Sequence, residues 1–191
     1  MILVYFILLA IPLSFLCGGR LKYIAEHPMR LIFLPPLAFA LEAIAPLLRG
    51  KIPLLESQWI WIAVLLEYVL LFLFCFLNWR TKAVRLIAIA CFLNFFVILW
   101  YGFRMPVAPI IHDYPPMASF VTRIESGELF EYVLVPYGSP LLFLGDAIVL
   151  PFIHNGLASI GDIFLGAGVA WLIFTWMRPL PPRKKRRIQH A

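Results

Sequence analysis

Apolar residues form five long runs along the chain, and the stretches between them carry most of the charge. The runs cover approximately residues 1–17, 31–48, 58–78, 84–101 and 161–178. A helix needs about 20 residues, with a range of about 17 to 25, to cross the hydrocarbon core of a bilayer. Lipid offers no hydrogen-bond partner to the backbone, and no alternating barrel pattern is present. The pattern therefore predicts an all-α integral membrane protein with five transmembrane helices.

Composition agrees with this prediction. The 191 residues are 63% hydrophobic and 14% charged, and the mean hydropathy is +0.92. Such a chain cannot cover a soluble globule with a polar surface. The net charge of +6 does not indicate nucleic acid, because the basic residues lie in short clusters beside apolar runs, as membrane-flanking charges do. We expect membrane lipids as partners and no nucleic acid.

The distribution of Lys and Arg predicts the orientation. The face that holds the C-terminus carries twelve of them, namely Arg20, Lys22, Arg30, Arg80, Lys82, Arg85, Arg178 and the run RKKRR at 183–187. The opposite face carries four, namely Arg49, Lys51, Arg104 and Arg123. Basic residues accumulate on the cytoplasmic side, so the N-terminus is predicted outside and the C-terminus inside.

This topology divides the chain into four parts. Residues 1–101 are a four-helix transmembrane part, and residues 102–160 are an extracytoplasmic or interfacial cap segment. The fifth transmembrane helix covers 161–178, and a basic cytoplasmic tail covers 179–191. Within the cap segment, residues 118–135 predict a short amphipathic helix followed by an extended stretch.

Two aspartates in the cap segment follow glycines, in FLGDAIVL (Asp146) and SIGDIFLG (Asp162). An aspartate before an apolar run is typical of a helix N-cap, which is the simpler interpretation of Asp162. A second interpretation is a latch at the outer surface, in which Arg104 pairs with Asp146 or Asp162, since Arg binds a carboxylate through two hydrogen bonds. Both interpretations can hold together.

Three motifs, G-F-R-M-P at 102–106, F-L-G-D at 143–146 and S-I-G-D at 159–162, resemble those of a family of small bacterial integral membrane proteins known only as a domain of unknown function. In that pattern two glycines precede the arginine, whereas Phe103 stands at the second position here. The resemblance implies a multi-pass protein of the bacterial cytoplasmic (inner) membrane. It implies no activity.

Three polar residues lie within the predicted helices. Glu42, Glu67 and Asn94 each lie about ten residues from a membrane edge, which places them near the midplane. A carboxylate at that depth costs several kcal/mol, so we expect these side chains to face the bundle interior. They either bond helices together or relay a proton or another cation.

Several chemistries lack the residues that they need. The histidines, His27, His112, His154 and His190, lie outside the predicted helices, so a haem-binding bundle is excluded. The cysteines, Cys17, Cys75 and Cys91, form no C-x-x-C motif. We expect no cofactor and no metal, and the sequence leaves open whether the protein is an enzyme.

Three functions remain. The first is a non-catalytic membrane subunit or scaffold of a larger bacterial assembly, favoured because no catalytic motif is present, with other membrane subunits or a second copy as partners. The second is a small outer-leaflet enzyme or binding protein for lipid or lipid-linked anionic substrates, which uses Arg104 with Asp146 or Asp162. The third is proton or ion translocation through Glu42 and Glu67.

Overall fold

The computed structural model describes residues 2–48, 59–150 and 156–180, and the protein is mostly helical in these ranges. The α-helices are α1 Leu3–Leu16, α2 Leu34–Leu48, α3 Trp59–Leu77, α4 Lys82–Trp100, α5 Ala118–Glu125 and α6 Ile160–Trp176. The short strands are β1 Met105–Val107, β2 Tyr132–Leu134, β3 Ile148–Val149 and β4 Leu157–Ala158. Single 3₁₀ turns cover Leu21–Glu26, Pro109–Asp113, Pro115–Met117 and Leu142–Leu144.

Each predicted apolar run contains a helix with nearly the predicted bounds. The prolines of the second run do not break α2, because Pro35 and Pro36 lie in its first turn and Pro46 lies in its last. The first turn of a helix has backbone N–H groups without intrahelical partners, so proline costs little there.

Among the described helices, α4 is the one that is both long enough and apolar enough to cross a membrane. It has 19 residues and a mean hydropathy of 2.3. Helices α1 and α6 and the Trp61–Leu77 part of α3 are apolar but shorter. By length and composition alone, the described helices thus provide one candidate span, and the predicted count of five stays a prediction.

Helix α6 is the centre of the bundle. It packs most extensively on α4 and then on α1, whereas α2 packs on α3 and α3 on α4. Two glycines allow the close approach on α6, since a Cβ at Gly166 would overlap the Phe6 ring and one at Gly168 would lie 2.7 Å from Ile87 Cγ1. This packing holds the C-terminal half of α4 beside the start of α6.

The cap segment forms its own small core between α4 and α6. Strands β1 and β2 pair in parallel, and β3 and β4 pair antiparallel. The amphipathic helix α5 buries Val121 and Ile124 against Val107, Ile111 and Met117. The short helix and extended stretch predicted at 118–135 are therefore confirmed, as α5 and β2.

A left-handed turn connects α4 to β1. Gly102 has φ +66° and Phe103 has φ +65°, so Phe103 keeps a backbone conformation that suits glycine. A residue with a Cβ pays roughly 1–2 kcal/mol for it. The turn directs the chain from the helix end into β1, and it places Phe103 against Trp61 of α3, with ring centroids 6.4 Å apart.

Candidate functional site

Strand β1 holds Asp146 through backbone hydrogen bonds. The Asp146 N–H donates to the Pro106 carbonyl (2.9 Å), and the Asp146 carbonyl accepts from the Ala108 N–H (3.0 Å). Gly145 makes this approach possible, because a Cβ there would overlap the Pro106 oxygen. The chain after Asp146 enters β3, so Asp146 caps no α-helix.

Asp162 is fixed by a hydrogen-bonded cluster at the start of α6. The N-cap is Ser159, whose hydroxyl accepts from the Asp162 N–H (2.9 Å), while Asp162 Oδ2 accepts from the Ser159 N–H (3.0 Å). The sequence therefore predicted the N-cap three residues too late, at Asp162 instead of Ser159. Such a reciprocal capping box satisfies two helix-end donors at once.

Asn94 of α4 joins this cluster. Its Nδ2 donates to Asp162 Oδ1 (3.0 Å), and its Oδ1 accepts from the Ser159 hydroxyl (3.0 Å). Gly161 lies directly against the amide, since a Cβ there would overlap Asn94 Oδ1. The glycines of both G-D motifs thus allow a close contact, and each following aspartate is held at a defined place.

These side chains face one cavity of about 240 Å³ between α3, α4, α6 and the cap segment. Its described lining includes four carboxyl groups, Glu67, Glu131, Asp146 and Asp162, together with the Asn94 amide. Aromatic rings, among them Phe103, Phe120 and Tyr132, form much of the remaining wall. No Lys, Arg or His is among the described lining residues, and the N-terminal amino group is a positive charge that acts on Asp146.

Two carboxyl oxygens in the cavity lack hydrogen-bond donors. Asp146 is only 7% exposed, and its Oδ1 is buried and has no partner among the described residues. Glu131 Oε2 is likewise buried and without a partner. Burial, and next the negative charge of Asp162, raise the pKa of Asp146 to about 8, against a smaller lowering by the positive charge of the N-terminal amino group. Desolvation disfavours the charged carboxylate, and a neighbouring carboxylate adds repulsion.

The structure brings together residues that the sequence assigned to two separate constellations. Glu67 and Asn94, predicted near the membrane midplane, line the same cavity as Asp146 and Asp162 of the cap segment. Arg104 does not join them: its side chain is exposed, and it makes no ion pair with either aspartate in the described part of the chain. The predicted latch is therefore not formed in this structure.

Two further acidic residues are Glu42, which the sequence predicted as a site residue, and Glu131, which it did not. The backbone of Glu42 lies in α2, but its side chain lies outside the described part of the structure. Glu131 was missed, because an acidic residue in the loop sequence FEY carries no pattern of its own. Its carbonyl accepts from the Met105 N–H (2.7 Å) just before β2 pairs with β1, and this pairing brings Glu131 to the cavity.

The lining does not form a metal site. In the described ranges, no three His, Cys, Asp or Glu residues converge closely enough to hold a metal ion. The carboxyl groups are instead distributed around the cavity, on α3, α6 and two places in the cap segment. That arrangement suits a ligand larger than a bare ion, or protons on the carboxyl groups.

Residues 26–174 match the sequence model of a family of unknown function, DUF5317, and the chain belongs to that family. The matched region includes the whole cavity except for Ile2 and Leu3. No curated protein and no solved structure matches the chain.

Proposed function

We propose that this DUF5317 protein is a multi-pass integral membrane protein that binds a cation in the cavity beneath its cap segment. One observation carries the proposal: four carboxyl groups share a cavity of about 240 Å³ whose described lining has no basic side chain. Carboxylates at short range cannot all ionise without a compensating positive charge. The N-terminal amino group lowers the pKa of Asp146 but does not offset burial and Asp162, so we propose that protons or a bound cation balance the remaining charge.

Membrane embedding is supported by the apolar surfaces of the helices. Large side chains such as Leu16, Phe76 and Phe92 are 83%, 76% and 58% exposed, far more than a water-facing helix bundle tolerates. Lipid around α1, α2, α3, α4 and α6 would cover them. We propose that all five helices cross the membrane, with the N-terminus and cap segment outside.

In this orientation the cation enters from the extracytoplasmic side. The cavity extends from Asp146 and Glu131 in the cap segment to Glu67 and Cys91 within α3 and α4. Such a path suits uptake of a cation to an intramembrane position, as a carrier or a sensor requires. This function develops the translocation hypothesis, with Glu67 retained and the cap-segment carboxyl groups added.

The other two functions receive less support. The exposed apolar faces fit a scaffold in a larger assembly, but lipid covers such faces equally well. An outer-leaflet enzyme for anionic lipids needs a cation beside the acidic groups, and the exposed Arg104 is not among the residues that line the cavity.

Thermal unfolding of the detergent-solubilised protein tests cation binding. Sodium, potassium, magnesium, calcium and alkylammonium chlorides would be compared at equal ionic strength and pH 8.5. A ligand that binds only the folded state at 100 times its Kd stabilises by about 2.7 kcal/mol. We expect one class of cation to raise the Tm of the wild type and to leave Asp146→Asn unchanged.

Glu125→Gln is the matched control, because it removes an exposed carboxylate of α5 that does not line the cavity. It should respond to the cation as the wild type does. Equal responses of all three proteins, or no response to any cation between pH 6 and pH 9, would refute the proposed function.

A further inference from the structure

We infer that the cation is a small primary ammonium, an amine of about eight or fewer non-hydrogen atoms whose NH₃⁺ group bonds Asp146 and Glu131 and whose carbon chain lies against the aromatic wall. The inference rests on the cation-binding function proposed above and adds the chemical class of the ligand. It depends on the two orphaned oxygens and on the size and lining of the cavity.

The two orphaned oxygens require hydrogen-bond donors. Asp146 Oδ1 and Glu131 Oε2 are buried and unbonded in the described structure, and a buried acceptor without a donor costs about 1–3 kcal/mol. A primary ammonium has three N–H donors and a positive charge. An ammonium that reaches both oxygens would satisfy them with two of its N–H groups, and it would add to the positive charge that the N-terminal amino group exerts on Asp146.

The size of the cavity excludes a much larger ligand. At about 30 Å³ for each water-sized unit, a volume of about 240 Å³ accommodates about eight such units. An amine with a chain of four to six carbons fits this volume. A single metal ion would leave most of the volume unfilled, and the described carboxyl groups do not converge as metal ligands.

The aromatic side chains suit the carbon part of such a ligand. Phe120 and Tyr132 meet edge to face with centroids 5.2 Å apart, and both line the cavity with Phe103. An aromatic face within about 6 Å attracts an alkylammonium, by about 0.5–2 kcal/mol depending on desolvation. A hydrated alkali ion gains nothing from these apolar walls.

The probes are n-butylammonium, tetramethylammonium and 1-butanol. The first two have the same charge and the same number of non-hydrogen atoms, but only n-butylammonium has N–H donors. 1-Butanol matches the first in shape and has no charge. Binding to the purified full-length protein in detergent would be measured by titration calorimetry at pH 8.5 and, independently, by the Tm increase.

We expect n-butylammonium to bind at least 10-fold more tightly than tetramethylammonium, and 1-butanol to have no measurable effect. Asp146→Asn and Glu131→Gln should each weaken n-butylammonium binding at least 10-fold. Glu125→Gln should leave its Kd within 2-fold of the wild type. Because both cavity substitutions are nearly isosteric, their Tm without ligand shows whether the variants are folded.

The results separate this inference from the proposed function. If an alkali or divalent cation raises the Tm in an Asp146-dependent manner and n-butylammonium does not, the cation-binding function stands and the ammonium inference is overturned. Equal or tighter binding of tetramethylammonium also overturns it, because N–H donors would then play no part. If no cation of any class binds, both proposals fail.

Discussion

Replacing Asp146 by asparagine should remove a pH dependence of stability that the buried carboxyl group causes. The pKa of Asp146 is about 8 in the folded protein, against an ordinary value of 3.8. Between these pH values the folded state holds a proton on Asp146 that the unfolded state has lost. Stability therefore falls as the pH rises through this window, and the contribution of Asp146 is fully present only below about pH 4.

The magnitude follows from the difference between the two pKa values. One pKa unit corresponds to about 1.36 kcal/mol, so ionisation of Asp146 lowers the free energy of unfolding by about 6 kcal/mol at pH 9, as an upper bound. Asp146 is 7% exposed, so solvent screens little of this effect. For a chain of this length, 1 kcal/mol moves the Tm by about 2–4 °C. The corresponding change in Tm is about 12–24 °C.

The assay compares Tm against pH for the wild type and Asp146→Asn in detergent, from pH 5 to pH 9. Three carboxyl groups share the cavity with Asp146, namely Asp162 on α6, Glu131 before β2 and Glu67 on α3, and the N-terminal amino group also acts on Asp146. These groups are present in both proteins, so the difference between the two curves isolates Asp146 to first order. The asparagine variant should gain stability relative to the wild type as the pH rises.

Two curves that stay parallel from pH 5 to pH 9 would refute the burial argument, because an ordinary, solvated aspartate titrates below this range. A variant that loses stability relative to the wild type at high pH would reverse the sign and imply a cation already bound at Asp146. Adding n-butylammonium at pH 9 should reduce the Tm difference between the wild type and Asp146→Asn, since a bound ammonium compensates the charge of the Asp146 carboxylate.

Three further predictions concern the cluster, the surface arginine and the topology. Asn94→Ala and Gly161→Ala should each lower the free energy of unfolding by about 1–3 kcal/mol. The double variant should lose less than the sum of the two, because the shortened side chain at position 94 leaves room for the new Cβ at position 161. Additive Tm changes would contradict the contact between the two residues. Arg104→Ala should shift stability by less than about 0.5 kcal/mol, and a Tm loss of 5 °C or more would show that Arg104 has a partner. In a cysteine-free background, an impermeant thiol reagent should label Glu125→Cys from outside and not Arg186→Cys, and the reverse labelling would overturn the proposed orientation.

The helices could be predicted because their signal is local. Each apolar run has a length and composition that only a helix satisfies in an apolar medium, and the runs end near charged or turn residues. The bounds of α3 and α4 differ from the predicted ones by one or two residues. Membrane crossing is a different question, because α1 and α6 have 14 and 17 residues and length alone does not decide it.

The cavity could not be predicted, since its members come together through tertiary packing. Glu67 and Asn94 lie on different helices, and the direction of each side chain depends on how α3, α4 and α6 are rotated about their axes. The sequence placed Asp146 and Asp162 with Arg104 because opposite charges near one surface suggest a pair. The left-handed turn at Gly102 and Phe103 instead leaves Arg104 exposed, while the two aspartates face inward.

The acidic cavity is costly for stability alone, which favours a functional origin. Asn94 and the Ser159 backbone N–H both donate hydrogen bonds to the Asp162 carboxylate. Helix capping and packing therefore account for this part of the cluster. Asp146 has no such explanation, because its Oδ1 is buried without a donor among the described residues and an apolar residue of similar size would avoid both desolvation and repulsion. Gly145 and the β1 hydrogen bonds nevertheless hold it there. A backbone that fixes a carboxyl group in an unfavourable site, with a second orphaned oxygen in the same cavity, is the arrangement that the proposed cation site requires.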